Sequence, residues 1–150
     1  MADADITAKD TLVKGVNSTN NYVRSEAHLI DGSEYSGVLA TGTHSLFTIP
    51  KGNLLVGLRA VALTATTSSG SATIQFKADI NGTAEALHTA VGKADFAAGD
   101  IINLTPTGIK TYDGSYDTTV QVTVATAALT AFKALVIAEY IPVTEFITAG

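Results

Sequence analysis

A chain of 150 residues and 15.4 kDa fits one domain, large enough to bury an ordinary hydrophobic core. Hydrophobic residues make up 46% and charged residues only 15%, against about 25% in ordinary soluble proteins, which excludes a charge-driven disordered chain. The absence of cysteine excludes a disulfide scaffold, thiol catalysis and cysteine-ligated metal, and a net charge of −5 with nine scattered basic residues argues against a nucleic-acid partner.

Residues 1–34 differ from the rest and read as an extended N-terminal arm leading into a body at 35–150. They hold three of the nine basic and six of the fourteen acidic residues, and few large apolar groups. Those groups include Ile6, Leu12, Val13, Val16 and Tyr22, the candidates for contact with a partner. Residues 15–21, Gly-Val-Asn-Ser-Thr-Asn-Asn, are turn and loop chemistry, because Asn and Ser side chains compete with the backbone for hydrogen bonds. The polar, acidic start is unlike a secretory signal, and no run approaches the ~20 apolar residues of a membrane helix. Neither membrane attachment nor export is expected.

From residue 35 onward the chain reads as short strands punctuated by turns. Residues 45–49 form a first strand, closed by Pro50-Lys51-Gly52. Residues 54–63 also fit helical spacing, but Gly57 and the β-branched surroundings favour a strand. Residues 72–80 alternate strictly, which turns Ile74, Phe76 and Ile80 inward, and Asn81-Gly82 then gives a strong hairpin signal. Residues 83–91 and 126–131 are alanine-bearing and can each hold a helical turn. Residues 119–124, behind Asp113-Gly114, place three valines on one face. Residues 134–141 are apolar on both faces, including Leu135 and Ile137, and so need cover on both sides, either from the arm or from another subunit. Seven or eight such strands without long helical patterns predict an all-β protein, an antiparallel β-sandwich or barrel.

Catalytic signatures are missing. There is no Gly-x-Ser-x-Gly elbow and no phosphate-binding loop, since Gly92-Lys93 lacks both the upstream glycine and the following hydroxyl. His28, His44 and His88 stand apart in sequence and read as two surface residues and one at a strand start. The carboxylates mostly adjoin Gly, Ser or Tyr, as turn residues do. No enzyme, metal or cofactor is expected. The most suggestive cluster is Tyr112, Asp113, Tyr116 and Asp117, where two tyrosines beside two aspartates can stack on and hydrogen-bond a sugar ring. The plainer reading is a hairpin loop whose tyrosines pack on the sheet edge.

The order of segments from Ile49 to Ile141 resembles a known family. Ile-Pro-Lys-Gly opens an apolar strand, and Ser-Ala-Thr-Ile-Gln-Phe-Lys-Ala-Asp precedes an Asn-Gly-Thr turn. Thr-Val-Gln-Val-Thr-Val then leads through a short link to Lys133-Ala134-Leu135-Val136 and Glu139-Tyr140-Ile141. This resembles the head decoration (cement) proteins of tailed bacteriophages. The resemblance implies a jelly-roll-like β-sandwich that binds the outside of the major capsid shell and stabilises it, often as a homotrimer. It implies a virion protein made in the host bacterial cytoplasm, with the major capsid protein as partner; the strand apolar on both faces sets Leu135 and Ile137 beside the arm residues as candidates for capsid or inter-subunit contact. A head-fibre base, a tail part, a minor capsid protein and a carbohydrate-binding module are the alternatives.

Overall fold

Successive side chains of an extended chain point to opposite faces, so alternation decides which side of each strand meets the core. The computed structural model describes residues 23–34, 36–104 and 114–142. In chain order the strands are β1 (Arg24–Asp31), β2 (Gly42–Ile49), β3 (Asn53–Ala62), β4 (Thr67–Ser68), β5 (Thr73–Ile80) and β6 (Thr83–Ala86). There follow β7 (Val91–Gly92), β8 (Ile101–Asn103), β9 (Thr118–Ala125), β10 (Leu129–Ala131) and β11 (Lys133–Pro142). One sheet has the order β1-β11-β3-β8, the other β2-β9-β5-β6 with β7 also beside β5, and β4 pairs with β10 as a small third ribbon.

The pairing is that of a chain folded in half and then rolled up. Leaving out β4, β7 and β10, first pairs with last and second with next to last: β1 with β11, β2 with β9, β3 with β8, β5 with β6, all antiparallel. Rolling adds β11 against β3 and β9 against β5. This is the antiparallel, jelly-roll-like sandwich expected of the sequence.

The core fills unequally from its two sides. The β2-β9-β5-β6 sheet supplies bulk, with Ile74, Phe76, Val120 and Val122 fully buried, and the inward faces of β5 and β9 are those that alternation gave. The facing sheet supplies more small groups, Ala60 and Ala62 from β3 and Ala134, Val136 and Ala138 from β11, alongside Ile30, Leu55, Leu58 and Tyr140. Small groups facing large ones favour close approach of two packed sheets. Phe96, also fully buried, follows a 3₁₀ turn (Lys93–Asp95) and meets Phe76 edge-on at 6.1 Å and Phe132 at 6.0 Å. It is an aromatic plug between the layers.

Three expectations need correction. Residues 24–31, read as part of an arm ending at 34, form β1 and pair with β11 along their whole length. Their polar inward residues hid the strand: Glu26 and His28 point toward the sandwich edge, where Tyr140 donates to Glu26 Oε2 at 2.6 Å and His28 stacks on Phe47 at 3.8 Å. The remainder of the arm, residues 1–22, lies outside the described residues. The alanine-bearing stretches, each able to hold a helical turn, hold strands instead. β6 is drawn into the β5 hairpin by the Asn81-Gly82 turn, with Asn81 and Gly82 both at positive φ, and β10 by pairing with β4. Sheet pairing outweighs the helical preference of alanine. Finally, His88 is no surface residue: its Nε2 accepts the Phe76 backbone N–H at 2.8 Å, and Leu87 N–H donates to Phe76 O at 3.0 Å. A side chain thereby completes the ladder of β5 in the gap between β6 and β7.

Candidate functional site

The two outer faces of the sandwich have opposite chemistry. Outside the β2-β9-β5-β6 sheet stand hydroxyl and amide groups, with Thr43 and Thr48 hydrogen-bonded across to Thr123 and Thr119 at 2.8 and 3.1 Å, and Gln75, Lys77 and Asp79 alternating along β5. The threonine pairs on this face are exposed to water.

The outer face of the β1-β11-β3-β8 sheet carries an aliphatic row between paired charges. Register places Leu29, Leu135, Val61 and Ile101 side by side, one from each strand. At the usual strand spacing that row runs about 14 Å. Leu29 is 50% exposed and Ile101 59%, while Leu135 and Val61 between them are half-buried. The next row holds Ala27, Ile137, Arg59 and Asn103, and Leu63, 43% exposed, lies just past the end of β3. On β11 the larger aliphatics Leu135 and Ile137 face outward while Ala134 and Ala138 face the core.

Charges on this face cancel. Lys133 Nζ lies 3.4 Å from Asp31 Oδ2, and Arg59 lies 3.6 Å from Glu139 Oε1. Gly57 makes room for the second pair, because a Cβ there would meet Glu139 Oε1 at 2.7 Å. The face is therefore neutral on a chain of net charge −5. At about 25 cal/mol per Å² of apolar surface removed from water, covering these side chains is favourable, and no like charges oppose it.

At the sandwich edge beside β1 sits the polar group already met. Tyr140 and then His28, by hydrogen bonding, hold the Glu26 carboxyl below its ordinary range, and the same bond to Glu26 raises the Tyr140 phenol. Among the described residues no three His, Cys, Asp or Glu side chains gather into a metal site, and no helix is long and apolar enough to cross a membrane.

At one end of the sandwich three turns converge. The β2–β3 turn brings Lys51, the β5–β6 turn Asn81, and the approach to β9 Ser115, Tyr116 and Asp117, around a depression of about 440 Å³. Lys51 N–H donates to Asp117 Oδ1 at 2.8 Å, and Gly52 N–H to Gly114 O at 2.8 Å. Tyr116 does not pack its ring away: it is 51% exposed.

Of the residues singled out from sequence, Leu135 and Ile137 stand on the aliphatic face, and Tyr116 and Asp117 line the depression. Ile6, Leu12, Val13, Val16, Tyr22, Tyr112 and Asp113 lie outside the described residues. Sequence reasoning missed the row partners Leu29, Val61 and Ile101, as it missed Lys51 and Asn81. Only register and turn convergence bring these together, and neither leaves a local signal.

No protein-family model matches the chain, and no curated protein matches it. Solved structures do. A chain of the cyanophage Pam1 capsid asymmetric unit is similar at a TM-score of 0.54 with 16% identity, over 89% of this chain and 94% of that one. A chain of the capsid of Ralstonia phage GP4 is similar at 0.50 with 18% identity, over 89% of this chain and 93% of that one. The jelly-roll-like fold of this protein is thus one also found in phage capsids.

Proposed function

We propose that the protein is a structural component of a tailed-phage virion that decorates the outside of the head shell, as a homotrimer bound to the major capsid protein. The observation that carries the reading is the neutral aliphatic face of the β1-β11-β3-β8 sheet, left open on a body otherwise well packed. The likeness to chains of two phage capsids supports it, since nearly the full length of each is matched and the shared unit is a whole chain.

In this reading Leu29, Leu135, Ile137, Val61 and Ile101 pack against a neighbouring copy, and the N-terminal segment, through Ile6, Leu12, Val13, Val16 and Tyr22, reaches the capsid or the next subunit. Low charge limits repulsion between closely spaced copies. Small Ala, Thr and Ser side chains lose little rotamer freedom on contact. A trimer meets three lattice positions at once, so weak individual contacts combine through effective concentration. The role requires no catalysis.

Locating the protein on intact particles by cryo-electron microscopy tests the reading. Density repeated over the whole shell is the expected result. Density at one vertex would make it a tail or head-fibre part instead. Removing residues 1–20 is expected to leave the body folded and to weaken attachment to capsids, and undiminished attachment would contradict the role given to that segment.

A further inference from the structure

The depression at the turn end of the sandwich is separate from the aliphatic face and has its own chemistry. Its walls come from three turns, two of which, the β2–β3 turn and the approach to β9, are tied together by the Lys51–Asp117 and Gly52–Gly114 hydrogen bonds, so that Lys51, Tyr116 and Asp117 stand on a braced backbone before any ligand arrives. The Lys51 ammonium, the Asn81 amide, the Tyr116 hydroxyl and the second oxygen of Asp117 make no hydrogen bond to another described residue. Donors and acceptors are therefore both unspent, around a half-exposed aromatic ring.

That combination selects among ligand classes. A phosphate or nucleic-acid backbone needs clustered cations, whereas here one lysine is balanced by one aspartate. A wholly apolar ligand needs an enclosed, dry cavity, and this one is open and edged by polar groups. A pyranose ring presents what the site lacks: a C–H face to lie on Tyr116, and hydroxyls that both donate and accept. The volume of about 440 Å³ falls within the range of small-molecule sites. We infer that the depression bounded by Lys51, Asn81, Tyr116 and Asp117 binds an uncharged sugar ring. This inference stands on different residues from the capsid reading, and either can fail alone.

An open site of this kind binds weakly, with a dissociation constant of about 1 mM for a single ring. Repetition of the site on an assembled particle would raise the avidity for a polysaccharide. The test is a titration of the ¹⁵N-labelled full chain, followed by amide NMR. The probes are methyl glycosides of glucose and galactose, the methyl glycoside of N-acetylglucosamine, and glucuronic acid. The expected result is saturable shifts at the amides of Lys51, Asn81 and Ser115 to Asp117 with at least one uncharged sugar. Tyr116→Ala, a change at an exposed position, is expected to weaken that response about tenfold while the rest of the spectrum stays in place. Lys51→Ala, which keeps the backbone bond to Asp117, is expected to weaken it several-fold and serves if the first variant does not fold. No shifts with any uncharged sugar, shifts elsewhere on the body, shifts indifferent to both substitutions, or a stronger response to glucuronic acid would each overturn the inference.

Discussion

At the residue scale, two side chains show how local chemistry sets stability. His88 accepts the Phe76 N–H only while its imidazole is neutral, and burial, the larger effect, pushes it below its ordinary 6.5, with the Thr89 backbone acting the other way. The unfolded chain gains a proton at this residue near 6.5, and the folded chain only at lower pH. The stability that His88 contributes is therefore complete above about pH 6.5 and falls as the pH drops toward the folded value. Urea midpoints measured across that window are expected to fall with acid, and His88→Gln is expected to flatten the slope relative to the parent. Phe96 is a simpler case. With the ring fully buried between Phe76 and Phe132, Phe96→Ala leaves a cavity and is expected to cost about 3–5 kcal/mol in chemical unfolding. A loss under about 1 kcal/mol would show that the plug is not part of the cooperative core.

At the scale of elements, what could be read from sequence follows from how much each strand depends on its neighbours. β5 and β9 declare both their existence and their inward faces, because each has one apolar and one polar side and alternation alone assigns them. β11 declares its existence but not its orientation: both sets of alternate residues are apolar, and only pairing with β3 and β1 turns Ala134, Val136 and Ala138 inward. β1 conceals itself, since Glu26 and His28 look like surface residues until Tyr140 and Phe47 are brought to them from far along the chain. β6 and β10 are short, carry alanine, and take their conformation from their partners. For the candidate sites, Leu135, Ile137, Tyr116 and Asp117 could be picked out by type. The row Leu29-Leu135-Val61-Ile101 and the group Lys51-Asn81-Tyr116 could not, because each is assembled across several strands or turns.

For the molecule as a whole, the central feature is asymmetry. One sheet turns threonine and lysine outward, while the other turns a neutral row of aliphatic side chains outward and Ala60, Ala62, Ala134 and Ala138 inward. A solitary sandwich gains nothing from that arrangement, whereas a subunit in an assembly gains a ready contact surface. Ile101, the most exposed of the row at 59%, is the position at which the contact can be broken without disturbing the core. Sedimentation equilibrium of the purified full chain, beside Ile101→Glu, is the most direct measurement. The expected result is a parent species of three times the 15.4 kDa chain mass and a variant that sediments as a single folded chain. A parent that remains a single chain at concentrations in the tens of micromolar would contradict the account.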